Sequence, residues 1–526
     1  MYRILVTELL AEEGLQLLRR QAQVDVRLGL SAQELAVVIG AYDGLVVRSS
    51  TQVTEEVIAA AARLRVIGRA GTGVDNIDLP AATRKGIVVV NAPYGNTVAV
   101  AEHTLAMLLA LVRRIPFADA ALRQGHWDKG CYQGVQVRGK VLGLIGLGRV
   151  GTAVARRALG LEMKVIAYDP FVTPERAAQL GVQWVPFDDL LRSADFVSLH
   201  LPGHEQNRGL IGARELALMK PTAYLINCAR GNLVDEEALC QALEEGRLAG
   251  AALDVFAQEP LLNNRLLRSD RVILTPHVAG STVEAQRDTA VEVAEQVLEV
   301  LAGRMPRYPV NAPALAVEEL ERLQPYLDLA QRLGSFYAQW QADHLQSLEV
   351  ACGSEVARQR MDLLVSAALV GLLARSSEEA VNWVNAPLVA QERGIAFAGQ
   401  YEPLGSAGGW SDWVELRLCS AGQRHTITGA VLRGEPHIVQ IDGYWLDFVA
   451  RGLLLVSEHI EQPGILGRMG TVLGNAGINI HFVQVGRRER GGPGVLVLGL
   501  DDPLPPEVLA QVMALPSIRS AWMVRL

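Results

Sequence analysis

The sequence predicts an α/β fold with three parts: a doubly wound parallel sheet, a smaller parallel α/β unit ahead of it, and a mixed second half ending in a ferredoxin-like unit. Three observations carry this reading. Short apolar strands alternate with helical stretches from residue 1 to residue 305, the rhythm of parallel βαβ construction. An apolar strand at 141–145 runs straight into Gly146-Leu147-Gly148-Arg149-Val150-Gly151, and an alanine-rich helix follows. Residues 450–526 read strand, helix, strand, strand, helix, strand, which is the ferredoxin-like order.

Taken in order, strands are predicted at 4–6, 44–47, 65–68 and 87–90, each an apolar run closed by a polar or glycine-rich turn. They build a small flavodoxin-like unit over residues 1–96. After Asn91-Ala92-Pro93 a helix is predicted over 97–114; it is apolar on almost every side, as at a domain or subunit interface. Strands at 141–145, 164–168, 195–199, 223–226, 249–253 and 272–274 then give a six-stranded sheet within residues 97–287. A helix from Ser281 towards Leu301 leaves that sheet, and residues 288–305 are assigned back to the first unit, which becomes discontinuous in sequence. Pro306, Pro309 and Pro313 stop helices and mark a boundary. Residues 306–449 form an intervening α/β unit with strands at 413–419, 424–432 and 437–440 and no recognisable catalytic cluster. The last unit, 450–526, has strands at 453–457, 478–480, 495–500 and 520–524, with a helix at 465–475 and another before the final strand.

Composition narrows the function classes. A chain of 526 residues is long enough for several domains with cores of their own. Its net charge of −8 and pI near 5.8 leave no basic face for nucleic acid. No apolar run is long enough to cross a bilayer, and Met1 to Thr7 enters a strand without a leader, so no membrane partner and a cytoplasmic location are expected. Cys131, Cys228, Cys240, Cys352 and Cys419 are odd in number and far apart, which argues against a disulfide framework and against a metal site.

The glycine turn carries the first chemistry. Gly146 permits the tight turn, Gly148 lets a pyrophosphate approach the backbone, and Gly151 lets the helix pack on the strand, so the phosphates meet a helix N-terminus. Asp169 closes the next strand, eighteen residues past Gly151, where a carboxylate accepts hydrogen bonds from an adenosine ribose. Its charge would repel a ribose 2′-phosphate, which favours NAD over NADP. Three further residues follow strand ends: Arg230 in Asn-Cys-Ala-Arg-Gly, Glu259 in Asp-Val-Phe-Ala-Gln-Glu-Pro, and His277 in Thr-Pro-His-Val-Ala-Gly. Ligands of open α/β sheets bind at carboxyl ends of strands, so all three face the dinucleotide crevice. His277 is expected to remove a hydroxyl proton while hydride leaves the same carbon, Glu259 to stabilise the imidazolium, and Arg230 to clamp a carboxylate. His103, inside the apolar helix, reads as a packing or interface residue.

These motifs identify residues 1–305 as similar to the D-isomer-specific 2-hydroxyacid dehydrogenases, which carry an Arg, a Glu and a His in this order on the same three motifs. Arg69-Ala-Gly-Thr-Gly-Val-Asp-Asn-Ile-Asp78 and Val46-Val-Arg-Ser-Ser50 add to the resemblance. The resemblance implies that Thr72, Arg149, Val150, Asp169, Leu201, Cys228, Ala229, Asp254 and Gly280 line the NAD site, with Cys228 a small neighbour and not a nucleophile. It further implies 3-phosphoglycerate as substrate, in the first step of L-serine biosynthesis, with Arg48, Arg69 and Asn96 holding it. A phosphorylated hydroxy acid carries about three negative charges near neutral pH, more than Arg230 alone would neutralise. Lys129 stands where some relatives place a phosphate-binding arginine.

Residues 306–449 resemble the intervening domain of long-chain members of that family, and 450–526 resemble an ACT-type regulatory domain. The ACT resemblance implies serine as effector, with His459, Glu461 and Asn479 at the ligand-contacting places; Glu461 departs from the Asn or Asp common there. A homodimer or homotetramer is expected. Two other readings stay open: another hydroxyacid dehydrogenase, such as a glyoxylate or hydroxypyruvate reductase, and an NAD(H)-sensing binding protein of the corepressor kind.

Overall fold

The computed structural model describes residues 1–313, 317–341, 345–377, 381–403, 410, 412–420 and 422–526. Four sheets organise them. The first is parallel, with strands in the order Ala22–Val26, Tyr2–Val6, Gly44–Val47, Val66–Arg69, Val88–Asn91. The sequence reading finds four of these five. It misses Ala22–Val26, an edge strand whose alternate polar residues stay partly exposed, so its apolar signal is weak.

The second sheet is also parallel and has seven strands, in the order Val272–Leu274, Gly250–Leu253, Tyr224–Asn227, Phe196–Leu199, Val141–Ile145, Lys164–Tyr168, Gln183–Trp184. The order turns around Val141–Ile145, the strand that feeds the glycine turn. The six expected strands gain a seventh, the two-residue Gln183–Trp184, too short for any periodicity.

Two helices exchange places between these lobes. Thr97–Val112 leaves the first sheet and packs on the second, burying Leu105, Leu108 and Leu111 with Leu142, Leu144 and Ile226. Val283–Leu301, started by Thr282 accepting the Ala285 N–H, returns to the first sheet, where Val293, Val297 and Leu298 join Ile4, Val46 and Val66. The crossing segments meet at the cleft, where Gly280 lies against Asn96.

The proline-rich boundary is bound to the first lobe. Val310 N–H donates to Val89 O at 2.7 Å, and Asn311 Oδ1 accepts the Val89 N–H at 2.9 Å, so this segment covers the open edge of Val88–Asn91.

The third sheet is mixed, in the order Ala396–Tyr401, Leu345–Cys352, Trp413–Ser420, Gln423–Leu432, Glu435–Ile441, Tyr444–Val449. It packs on helices Val317–Trp340 and Met361–Leu373. The fourth, antiparallel sheet runs Ile480–Arg487, Pro493–Leu500, Leu453–Ile460, Ile518–Arg525, the ferredoxin-like arrangement, with helices Ile465–Asn475 and Pro506–Met513 on one face. Its other face is buried as well. Leu454, Val456, Val495, Val497 and Val524 belong to one continuous core with Leu329, Phe336, Leu416 and Phe448 of the preceding unit.

Candidate active site

Between the two parallel lobes lies a cleft of about 740 Å³, to which the first contributes Ser49, Ser50, Arg69, Thr72, Asp75 and Asn96, and the second Arg230, Asn232, Phe256, Glu259 and His277. On its second-lobe side, Arg230, Glu259 and His277 converge from three loops that each follow a parallel strand, as the sequence reading expects.

His277 Nδ1 lies 2.7 Å from Glu259 Oε2, and the other carboxylate oxygen of Glu259 accepts the Phe256 N–H at 3.0 Å. The carboxylate thus fixes the ring orientation and leaves Nε2 for substrate. His277 takes the left-handed backbone conformation, at φ 53°, a geometry uncommon outside glycine, though less so for Asn, Asp and His than for other side chains. A buried carboxylate holds it there. Asp254 is fully buried and accepts Val278 N–H and Ala279 N–H at 2.9 Å each and the Thr275 hydroxyl at 2.6 Å, while the His277 N–H donates to Asp254 O at 2.8 Å. Burial pushes this carboxyl group up, but its hydrogen bonds from His103, Thr275 and the two backbone amides outweigh burial and hold it below the usual carboxylate range.

His103 belongs to this network. Its Nε2 is 3.2 Å from Thr275 Oγ1 and 3.5 Å from Asp254 Oδ1, so it packs directly behind the catalytic-loop anchor. The sequence carries no sign of that contact, because the residues are far apart in the chain.

The first lobe supplies cations. Burial, and next the neighbouring Arg230 charge, push the Arg69 guanidinium down to about 10, while Asp75 and Glu8 oppose the shift; it stays protonated at neutral pH. Glu8 also accepts the Arg48, Ser50 and Thr51 N–H groups, which shapes the loop carrying Ser49 and Ser50 into the cleft. Thr72 donates to Asn96 Oδ1 at 2.7 Å, tying the cleft wall to the start of the crossing helix.

Two expected substrate contacts stand elsewhere. Arg48 is outside the cleft lining; its guanidinium turns to Leu9 O at 3.3 Å. Lys129 is exposed on a turn pinned by Asp128, which accepts from Gly130 N–H and the Cys131 thiol, and that turn is also outside the lining.

The glycine turn has the shape that a dinucleotide requires. Gly146 sits at φ 99°, and a Cβ at residue 151 would run into Gly146 O, so Gly151 admits the close strand–helix approach. No neighbour fills the space over Gly148, at the N-terminus of helix Arg149–Gly160. Asp169 closes its strand beside the turn, accepting Leu147 N–H and Phe171 N–H. Arg149 stacks on the Tyr94 ring, 4.8 Å from its centroid, and Leu201 packs over Gly146. Val150 is half-buried, and the Ala229 N–H donates to Asn227 Oδ1 at 3.0 Å. Cys228 is buried at a strand end, and burial, with the Asp254 charge second, pushes its thiol up to about 12, which disfavours the reactive thiolate.

In the last unit His459 is buried, and burial holds its imidazole below the ordinary range. Glu461, two residues on, accepts the Gly491 N–H and pairs with Arg487; Asn479 donates to Asp501 at 2.6 Å. Among the described residues there is no cluster of His, Cys, Asp and Glu suited to a metal ion, and no helix long and apolar enough to cross a membrane.

Comparison with known proteins agrees with this geometry. The family "D-isomer specific 2-hydroxyacid dehydrogenase, NAD binding domain" matches residues 105–279, the D-3-phosphoglycerate dehydrogenase intervening domain matches 322–442, and the ACT domain matches 454–517. A solved protein of Thermus thermophilus superposes with a TM-score of 0.55 at 38% identity, covering 59% of this chain and 99% of its own. A glyoxylate reductase from Paecilomyes thermophila does so at 0.55 and 30%, covering 59% and 98%. Fold and cleft define an NAD-binding 2-hydroxyacid dehydrogenase. D-3-phosphoglycerate dehydrogenases of Synechocystis sp. and Methanocaldococcus jannaschii are 44% and 42% identical over all of this chain and over 95% and 100% of their own lengths. The chain belongs to the D-3-phosphoglycerate dehydrogenase family.

Proposed function

We propose that this protein oxidises 3-phospho-D-glycerate at C2 to 3-phosphohydroxypyruvate, the first step of L-serine synthesis. The observation that carries the reading is the convergence of Arg230, Arg69, His277 and Glu259 on one cleft between the two lobes. NAD, held by the turn and Asp169, supplies the hydride acceptor. The chain's own residues do the rest. Arg230 and Arg69 grip the anionic ends of the substrate and so orient C2, a positioning that lowers the barrier by several kcal/mol in general, on the order of 7–11 kcal/mol at its best. His277 Nε2 takes the C2 hydroxyl proton, and Glu259 stabilises the imidazolium that results. Asp254, through Val278 and Ala279, holds the loop in the conformation that presents the ring.

We further infer that His459, Glu461 and Asn479 serve a small-molecule effector, serine being the ligand to test first. The support is an ACT domain, matched over residues 454–517, in which His459 is buried two residues before the Arg487-paired Glu461. A cytoplasmic homo-oligomer, dimer or tetramer, fits the unpaired cysteines and the exposed Ile115 and Leu122, which share one helix face with Trp127 exposed just beyond.

The test is the initial rate of NADH formation with 3-phosphoglycerate, with and without serine. Turnover that serine suppresses supports both readings. Turnover with unphosphorylated glycerate equal to that with the phosphate ester would favour a less selective hydroxyacid dehydrogenase. NADH binding without turnover of any hydroxy acid would favour a sensor.

A further inference from the structure

Beside the guanidiniums of the cleft stands a carboxylate that the motif reading leaves without a role. Asp75 Oδ2 lies 3.1 Å from Arg230 Nε, and the pair spans the cleft: Asp75 belongs to the loop after Val66–Arg69, Arg230 to the loop after Tyr224–Asn227. Asp75 also counters the loss of charge at Arg69, so one acid serves two cations that repel each other. A Cβ at residue 73 would strike both Arg230 Nη2 and Asp75 Oδ2, so the glycine there is what lets the pair sit against the wall.

A guanidinium grips a carboxylate by one of two forks, Nε with Nη2 or Nη1 with Nη2. Each fork of Arg230 has a prong engaged. Asp75 takes Nε, and Ala229 O takes Nη1 at 2.7 Å. The two partners differ in how easily they yield. Ala229 O is backbone, whereas the Asp75 side chain is 66% exposed and free to turn into water.

We propose that Asp75 is a built-in competitor for the substrate: its carboxylate pairs with Arg230 Nε and is displaced when the substrate's carboxylate takes the Nε–Nη2 fork. The identity of that substrate rests on the function proposed above; the competition itself concerns any carboxylate ligand of this cleft. Asp75 performs two opposed tasks. Without substrate it pairs with Arg230 across the cleft, tying the lobes together, and its charge offsets part of the repulsion between Arg230 and Arg69. When the substrate arrives, its charge is a like charge beside an anion.

Removing that charge therefore lowers stability while it raises affinity, a combination that a purely structural residue does not give. In full-length Asp75→Asn and Asp75→Ser variants, the melting temperature without ligand should fall. KM for 3-phosphoglycerate and the dissociation constant of oxalate, a plain dicarboxylate probe measured by calorimetry, should both drop, on the order of three- to tenfold for a partly screened charge at this distance. Asp75→Glu, which keeps the charge, should stay near wild type in both. A rise in KM and in the oxalate constant would overturn the proposal and make Asp75 a residue that positions Arg230. Unchanged values in both neutral variants would overturn it too, leaving a bystander. If the wild type does not oxidise 3-phosphoglycerate, the functional reading fails, while oxalate binding and melting still decide the role of Asp75.

Discussion

The two halves of the molecule bury their sheets in opposite ways. In the first half the two parallel sheets have separate cores, one of which also takes in Val384, and the lobes are joined by two crossing segments and face each other across a polar cleft. In the second half the mixed sheet and the ferredoxin-like sheet share one core, with Leu454, Val456, Val495, Val497 and Val524 set against Phe336 and Phe448. Polar contacts add to that junction: Gln339 both donates to Arg525 O and accepts its N–H, and Trp340 meets Trp522 edge to face. Separate cores leave the catalytic lobes able to move relative to each other around a ligand, whereas a shared core makes the C-terminal half one body.

Four substitutions break or sharpen this contrast. The largest effect belongs to His277→Ala, which should lower kcat/KM by roughly 10²–10⁴-fold in steady-state assays while leaving the melting temperature nearly unchanged, because the side chain is 47% exposed and its work is chemical. A matching loss of stability would mean that the cleft is held together by its catalytic residues.

Leu454→Ala should cost about 2–5 kcal/mol, the usual range for a fully buried leucine, and hydrogen exchange should show both C-terminal sheets losing protection together. Loss confined to residues 450–526 would show that the last unit is separable after all.

Asp254→Asn should be milder and dependent on pH. The folded carboxyl group titrates below its unfolded value, so its stabilisation is complete above the unfolded pKa, about 3.9, and is lost as the pH falls through the lower folded value. The variant should be less stable than wild type at neutral pH, and the gap should narrow below about pH 4. A gap that widens in acid would contradict the assigned hydrogen bonds.

Gln339→Ala, which removes two hydrogen bonds from the junction, should cost only about 1 kcal/mol in denaturant titrations. A loss as large as that of Leu454→Ala would place the junction's strength in its polar contacts.

How much of this could be read beforehand follows from how local each signal is. The glycine turn, Arg230, Glu259 and His277 each lie within a few residues of an apolar strand, and a strand end in a parallel sheet points to one crevice, so the cleft's second-lobe wall was legible from the sequence. Asp75 on Arg230, Glu8 under the 48–51 loop, and His103 behind Thr275 join distant segments, and nothing local marks them. Lys129 shows the converse: a motif position marks it for a ligand, while the Asp128-centred turn of this chain holds it exposed outside the cleft lining. Among strands, Leu345–Cys352, Ala396–Tyr401 and Tyr444–Val449 escaped notice. Ala396–Tyr401 is an edge strand with little buried surface, and Tyr444–Val449 alternates Trp445 and Asp447 outward. The shared core was hidden for a different reason. Residues 453–460 are buried on both faces, a pattern that sequence reads as a strand without saying what covers its second face.

The most direct test of the central claim is kcat/KM for NADH formation, measured on the same preparation with 3-phosphoglycerate and with glycerate. A cleft built around Arg69 and Arg230 predicts a strong preference for the phosphorylated acid, and loss of the base in His277→Ala predicts a fall of roughly 10²–10⁴-fold in kcat/KM. Equal values for the two acids, or kcat/KM in His277→Ala close to that of the wild type, would contradict it.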